Sequence, residues 1–255
     1  MAKLKMTSTV VSQEMIATDI YSLWLKAEEI AVQAKPGQFI SVYCKDSGKI
    51  LPRPISICEI DKEKGMLRIV YRIAGEGTKE FSEMKAGDTL EVMGPLGNGF
   101  TMKNEKAIII GGGIGIPPML ELAKQLDAEK TVVLGYRTST FLKEEFEEVC
   151  DVKIATEDGS QGAKGTVIDA IEKYGVEGKV IYACGPMPML KALAAYAEEH
   201  GMEAQISLEE RMACGIGACL GCICKSKTKD HHTNVNNTRI CKDGPVFDAK
   251  EVVFS

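Results

Sequence analysis

The hydrophobic pattern of this chain changes period once, at Gly94–Gly99 (GPLGNG), and that change restricts the folds open to it. Before it, short apolar or alternating runs recur at Ser8–Ser12, Ile20–Leu25, Phe39–Tyr43, Ile55–Ile60, Leu67–Ile73 and Thr89–Met93. Turn formers separate them at Pro36-Gly37, Asp46-Ser47-Gly48, Lys64-Gly65 and Ala86-Gly87-Asp88. Short strands at this spacing predict a small, closed antiparallel β-barrel. After it, strand and helix patterns alternate. Strands are predicted at Ala107–Ile110, Thr131–Tyr136, Val152–Thr156, Val180–Cys184 and Ala204–Leu208. Helices fall between them at Pro118–Gln125, Lys143–Glu148, Val167–Tyr174 and Met187–His200. Such alternation predicts an α/β domain with a doubly wound parallel sheet. The rest, from Glu209, is rich in Cys and Gly with little periodicity, and is too short to hold a core without a staple or metal. The expected division is a barrel over 1–101, an α/β domain over 102–208 and a cysteine segment over 209–255.

The net charge of −5 and the lack of a dense basic run argue against nucleic acid and anionic lipid as partners. Met1–Val10 has no apolar stretch or small-residue cleavage site, and no apolar run is long enough to span a bilayer. A cytoplasmic protein is expected. Its nine cysteines are then reduced thiols rather than disulfides. Cys44, Cys58, Cys150 and Cys184 are scattered, as small core residues are; the other five crowd the last fifth of the chain.

Cys214, Cys219 and Cys222 form C-x4-C-x2-C, and eighteen residues separate Cys222 from Cys241. That is the spacing style of plant-type [2Fe–2S] sites, in which a tight loop supplies three thiolates and a distant residue the fourth. Gly215, Gly217 and Gly221 leave room for backbone N–H groups to approach sulfur. A four-cysteine zinc site is the alternative, but it usually brings a second C-x2-C knuckle, which Cys241 lacks. Cys224 reads as a spare thiol, and His231-His232 as part of a solvated polar loop.

Two further groups of residues suit nucleotide-like cofactors. Arg53-Pro54-Ile55-Ser56 follows a barrel strand: arginine can clamp a pyrophosphate, proline sets the turn, and a serine hydroxyl can bond a ring nitrogen. Val70-Tyr71-Arg72 and Gly75-Glu76-Gly77-Thr78 follow, the latter opening a short helix that presents free N–H groups. Later, Ile108–Ile110 leads into Gly111-Gly112-Gly113-Ile114-Gly115-Ile116-Pro117-Pro118, a glycine turn with prolines where a helix begins. Ile116 stands where G-x-G-x-x-G would end, so this is not the usual dinucleotide fingerprint. Cys184-Gly185-Pro186-Met187 repeats the strand, turn and helix design. Two such turns in one sheet predict a crevice outside the carboxyl ends of its strands.

In motif order and over essentially the whole chain, these residues resemble the ferredoxin–NADP reductase superfamily. Glu210–Cys222 followed by Arg239–Phe247 is similar to the electron-transfer subunits of heteromeric NAD-dependent dihydroorotate dehydrogenases. The resemblance implies that Arg53, Pro54, Ile55, Ser56, Val70, Tyr71, Arg72, Gly77 and Thr78 contact FAD. It implies Cys214, Cys219, Cys222 and Cys241 as ligands of a [2Fe–2S] cluster. Gly111, Gly112, Gly113, Gly115 and Pro117, with Cys184, Gly185 and Pro186, would receive NAD(H). It also implies a partner, an FMN-containing catalytic subunit that oxidises dihydroorotate in pyrimidine biosynthesis, in a heterotetramer of two of each chain. No side chain is expected to be catalytic itself, because the chemistry belongs to the cofactors. Related flavin and iron–sulfur subunits, of sulfide dehydrogenase or of a ferredoxin:NADP transhydrogenase, are the alternative reading. Ile55 departs from the wider superfamily, where many members carry tyrosine; isoleucine packs on a flavin but cannot stack. Arg137 is followed by Thr138, Ser139 and Thr140 with no basic pair for a 2′-phosphate, which favours NAD over NADP.

Overall fold

The computed structural model describes residues 3–229 and 234–254; His231 and His232 lie outside them. The first hundred residues form strands β1 (Leu4–Ala17), β2 (Ile20–Lys26), β3 (Phe39–Val42), β4 (Arg53–Asp61), β5 (Met66–Arg72) and β6 (Thr89–Leu96). Short helices α1 (Glu28–Ala31) and α2 (Glu76–Ser82) interrupt them. All neighbours pair antiparallel and the sheet closes in the order β1-β2-β5-β4-β3-β6, the expected barrel. β1 is much longer than the apolar run that marks it, because its pairing with β2 extends past the barrel wall. At the tip of that ribbon Ile16, Ala17 and Ile20 pack against the α/β domain.

Beyond Gly99 come β7 (Ala107–Gly112), α3 (Pro117–Gln125), β8 (Lys130–Tyr136), α4 (Lys143–Glu147), β9 (Asp151–Thr156) and the two-residue β10 (Ala163–Lys164). They are followed by α5 (Val167–Tyr174), β11 (Val180–Cys184), α6 (Met187–Glu199) and β12 (Glu203–Ser207). The strand residues alternate between two cores, as a pleated strand requires. Ile108, Ile110, Ile181 and Ala183 face α5 and α6, while Ala107, Ile109, Val180 and Tyr182 face α3 and α4. Helices therefore cover both faces, as the alternating pattern predicts.

The cysteine segment does more than its sequence suggests. It forms a hairpin of β13 (Ile223–Lys225) and β14 (Asn237–Arg239), a turn of helix α7 (Ile240–Asp243), and β15 (Val246–Asp248). β15 pairs antiparallel with β12, so the sheet has the order β10-β9-β8-β7-β11-β12-β15. The expected last strand is thus not the sheet's edge. Ile240, Cys241, Phe247, Ala249 and Val252 join the core beneath α6. The GPLGNG turn, read above only as a boundary, also holds the tail. Asn98 donates its backbone N–H to Gly244 O at 2.6 Å, and its side-chain amide to Lys242 O at 3.2 Å and Asp243 O at 2.9 Å.

Candidate functional site

A cleft of about 810 Å³ opens between the barrel, the α/β sheet and the start of the cysteine segment. Its barrel wall is formed by Arg53, Pro54, Ile55 and Ser56 on β4, Val70, Tyr71 and Arg72 on β5, and Thr78 on α2. Gly77 is absent from the wall but supports it. A Cβ there would collide with the Arg53 guanidinium, which crosses the first turn of α2. Nη1 of Arg53 bonds the carbonyls of Lys49 and Leu51. Neither Arg53 nor Arg72 is in an ion pair among the described residues, so two guanidinium groups at this wall suit an anionic phosphate chain. Thr78 Oγ1 accepts from the N–H of Ala74 at 2.8 Å and of Gly75 at 3.2 Å, and thereby ties the glycine turn.

Two motif residues line the cleft and also pack into the barrel. Tyr71 is 3% exposed; its ring stacks on Tyr21 inside the barrel, and its hydroxyl donates to Gln13 Oε1 at 2.8 Å. Its hydroxyl is therefore committed to the barrel. Alternation along β5 turns Val70 and Arg72 the opposite way. Ile55 likewise belongs to the barrel core and retains only 8% exposure.

The opposite wall comes from residues to which the motifs assigned no cofactor contact. Ile114, in the middle of the glycine turn, faces the cleft, as do Ser207–Met212 and Pro245. The rule that ligands sit beyond the carboxyl ends of parallel strands could have pointed to Ser207, the last residue of β12. Glu209 stands in this concavity. Desolvation holds its carboxyl above the usual carboxylate range, and Arg72 opposes that shift.

The two glycine turns meet at the ends of β7 and β11, which pair directly, with β8 continuing the sheet on one side and β12 on the other. This is the point where the strand order reverses. A Cβ on Gly115 would strike Cys184 C and O and Gly185 Cα at 2.5 to 2.6 Å, so only glycine lets the two turns touch. Gly112 abuts Met189 and Pro186 in the same way. Pro117 opens α3 as expected, and Gly111 pairs across the sheet with Cys184, which pairs in turn with Ser207. Cys184 is 1% exposed, and burial pushes its thiol far up; it is a neutral group behind the turn.

The four cysteines of the C-x4-C-x2-C…C pattern converge. Cys214 Sγ accepts from the N–H of Ile216 at 3.5 Å and of Ala218 at 3.3 Å, and Cys219 Sγ from Gly221 at 3.4 Å. Cys222 Sγ accepts from the Cys241 N–H at 3.4 Å, and Cys241 Sγ from Gly217 at 3.1 Å. Every sulfur thus receives a backbone donor, the arrangement that stabilises thiolate charge. Desolvation pushes the Cys214 thiol up, but the N–H groups of Ile216, Cys219 and Ala218 and the Cys219 thiol outweigh it and hold it at about 6. Burial, with Cys222 as hydrogen-bond neighbour, pushes Cys241 to about 12.

The Cys241 N–H joins the two distant parts of the pattern by its bond to Cys222, and the Gly217 N–H by its bond to Cys241. A C-x4-C-x2-C loop with one distant thiol suits two irons better than a single zinc, which usually takes two C-x2-C knuckles. Cys224 lies outside this arrangement: it sits on β13 opposite Thr238, packs on the core, and is pushed by burial to about 11. The cysteine loop rests on the barrel, where a Cβ on Gly215 would meet Ser41 Oγ at 2.9 Å and Leu96 at 3.3 Å.

Known proteins match this arrangement segment by segment. Residues 6–100 match the oxidoreductase FAD-binding domain family, and residues 209–253 the iron–sulfur cluster binding domain of dihydroorotate dehydrogenase B. The electron transfer subunit of dihydroorotate dehydrogenase B (NAD(+)) from Caldanaerobacter subterraneus subsp. tengcongensis is 44% identical over 253 residues, covering 98% of this chain and 99% of that protein. The chain belongs to the dihydroorotate dehydrogenase B electron-transfer subunits. Another family member, from Fusobacterium nucleatum, is 43% identical, with 96% of each chain covered. A solved structure described as an NADH-dependent reduced ferredoxin-NADP oxidoreductase of flavin-based electron bifurcation is similar with a TM-score of 0.87. It is 30% identical and covers 97% of this chain and 90% of that one. The family accounts for the cofactors expected from the motifs, FAD, an iron–sulfur cluster and NAD(H).

Proposed function

We propose that this chain carries electrons between NAD(H) and an FMN-containing catalytic subunit that converts dihydroorotate to orotate, in the cytoplasm. The observation that carries this reading is the single cleft in which Arg53–Ser56 and Val70–Arg72 face Ile114 of the glycine turn and Ser207–Met212, the residues leading into the cysteine loop. This supports a flavin site with the nicotinamide turn on one side and the cysteine loop on the other. When bound, FAD exchanges hydride with NAD(H) and single electrons with the cluster, joining two-electron to one-electron chemistry.

The residues of the chain bind, orient and tune. Arg53 and Arg72 would meet the phosphates of FAD, and Pro54, Ile55, Ser56, Val70, Tyr71, Gly77 and Thr78 would complete its site. Gly111–Gly115 and Cys184–Pro186 leave backbone open to the dinucleotide. Cys214, Cys219, Cys222 and Cys241 ligate the cluster, with five backbone N–H groups lowering the cost of their negative charge. Cys219 is solvent-exposed beside Ile216 and Leu220, two exposed apolar side chains, which suits this rim to the FMN subunit in a heterotetramer of two of each chain. The barrel, α/β and cysteine segments divide as 1–101, 102–208 and 209–255. Among the described residues no helix is long and apolar enough to cross a membrane.

Co-expression with the FMN subunit and anaerobic purification test the proposal. Flavin and iron should copurify with both chains, and dihydroorotate should drive NAD+ reduction. Purified material with neither iron nor acid-labile sulfide would overturn it. The likeness to the bifurcating oxidoreductase supports a second reading, a flavin subunit that exchanges electrons with ferredoxin. Activity with reduced ferredoxin, and none with dihydroorotate and the FMN chain, would select it.

A further inference from the structure

The seam between barrel and α/β domain holds a charge network that the cofactor sites leave unused. Arg68, on β5, is 5% exposed. Its Nε donates to Ser22 Oγ at 2.8 Å and its Nη1 to Glu59 Oε2 on β4 at 2.5 Å. Across the seam Nη1 and Nη2 both reach Glu145 on α4, the latter at 3.1 Å from Oε1. The other Glu59 oxygen accepts from Lys124 on α3. Beside them Glu121 of α3 accepts the Ile60 N–H at 2.8 Å and the Gln125 amide at 2.5 Å. Arg68 and Lys124 thus balance Glu59 and Glu145, while desolvation raises Glu121 above the usual carboxylate range.

Both ends of this network lead to the cleft. Arg68 shares the outer face of β5 with Val70 and Arg72, which line the cleft one and two side-chain positions further on. Helix α3, gripped through Glu121 and Lys124, begins at Pro117, two residues after Gly115. One buried guanidinium is therefore linked to both walls, directly on β5 and through Glu59 and Lys124 on α3.

We propose that Arg68 is a positioning residue. Its bonds to Glu145 on α4 and to Glu59, which also holds Lys124 of α3, set the spacing between the flavin wall on β5 and the nicotinamide turn ahead of α3. The inference rests on the reading under Proposed function. Hydride, two electrons and one proton, passes between nicotinamide and flavin with Arg68 exchanging nothing. Transfer of this kind tolerates little misplacement; an error of about 1 Å can cost on the order of 100-fold in rate.

The test uses the complex with its FMN subunit and two variants. Arg68→Lys keeps the charge but loses the fork. Arg68→Met with Glu145→Gln removes one cation and one carboxylate and leaves Glu59 paired with Lys124, so no buried charge is stranded if the single variant fails to fold. Stopped-flow reduction of the flavin by NADH should slow at least about tenfold in the double variant at unchanged FAD and iron content. The long-wavelength absorbance formed between nicotinamide and flavin should weaken with it. Hydrogen exchange of the flavin-free chain should rise on β5 and α4 together, with β11 and β12 unchanged. A double variant with full FAD, flavin reduction within about twofold of wild type and unchanged exchange at the seam would overturn the assignment. Failure of the wild-type complex to reduce its flavin with NADH would instead overturn the function proposed above.

Discussion

Where a Cβ on Gly77 would stand, the guanidinium of Arg53 already lies. A glycine on α2 thereby lets an arginine on β4 cross the first helical turn and reach the cleft, and residues 24 apart in sequence act as one feature.

Gly77→Ala should therefore displace Arg53 without unfolding the barrel. Overpacking of this kind costs about 1–3 kcal/mol, and about 1.4 kcal/mol is tenfold in affinity. FAD titration followed by flavin fluorescence should show a dissociation constant raised about tenfold or more. Unchanged FAD affinity would show that Arg53 does not hold the cofactor.

Cys219→Ser and Cys224→Ser should separate the two kinds of cysteine in the tail. The first removes an expected cluster ligand, the second a spare thiol in a hairpin. Iron and acid-labile sulfide should fall sharply in Cys219→Ser and stay at wild-type content in Cys224→Ser, with FAD retained in both. Equal iron loss in the two would make Cys224 a ligand.

Asn98→Ala removes two side-chain bonds that hold Lys242 and Asp243 to the barrel turn. Exposed neutral bonds of this type contribute about 1 kcal/mol each. The variant should keep its flavin but release iron to a chelator several times faster than wild type. Release at the wild-type rate would leave the tether without consequence for the cluster.

The start of α5 should show a pH-dependent cap. The Thr166 N–H donates to Asp169 Oδ2 at 2.6 Å and the Thr166 hydroxyl to the same oxygen at 2.7 Å, which holds this carboxyl below its ordinary value of 3.8. A depressed folded-state value stabilises above pH 3.8 and is lost as the pH falls through it. Amides of α5 should exchange faster in Asp169→Ala than in wild type at pH 7, and the two should converge as the pH falls below the depressed folded-state value. A gap that persisted in acid would assign the effect to packing rather than to the carboxylate.

Local chemistry determined a large part of this protein. Turn residues and apolar periods mark the strands and helices of barrel and sheet because each signal lies within a few residues. The four thiols and the two glycine turns are also legible, since cofactor chemistry demands particular residue types at close spacing. What tertiary structure alone decided involves residues far apart. β15 is three residues long and carries no period of its own; it is a strand because β12 leaves an open edge beside it. Asn98 became a tether, Gly77 a passage for Arg53, and Ser207–Met212 a cleft wall only when the chain closed on itself. Arg68 has no motif at all, and its four partners come from β2, β4, α3 and α4, directly or through Glu59. Such relationships arise from contact between distant segments, which a pattern read along the chain does not contain.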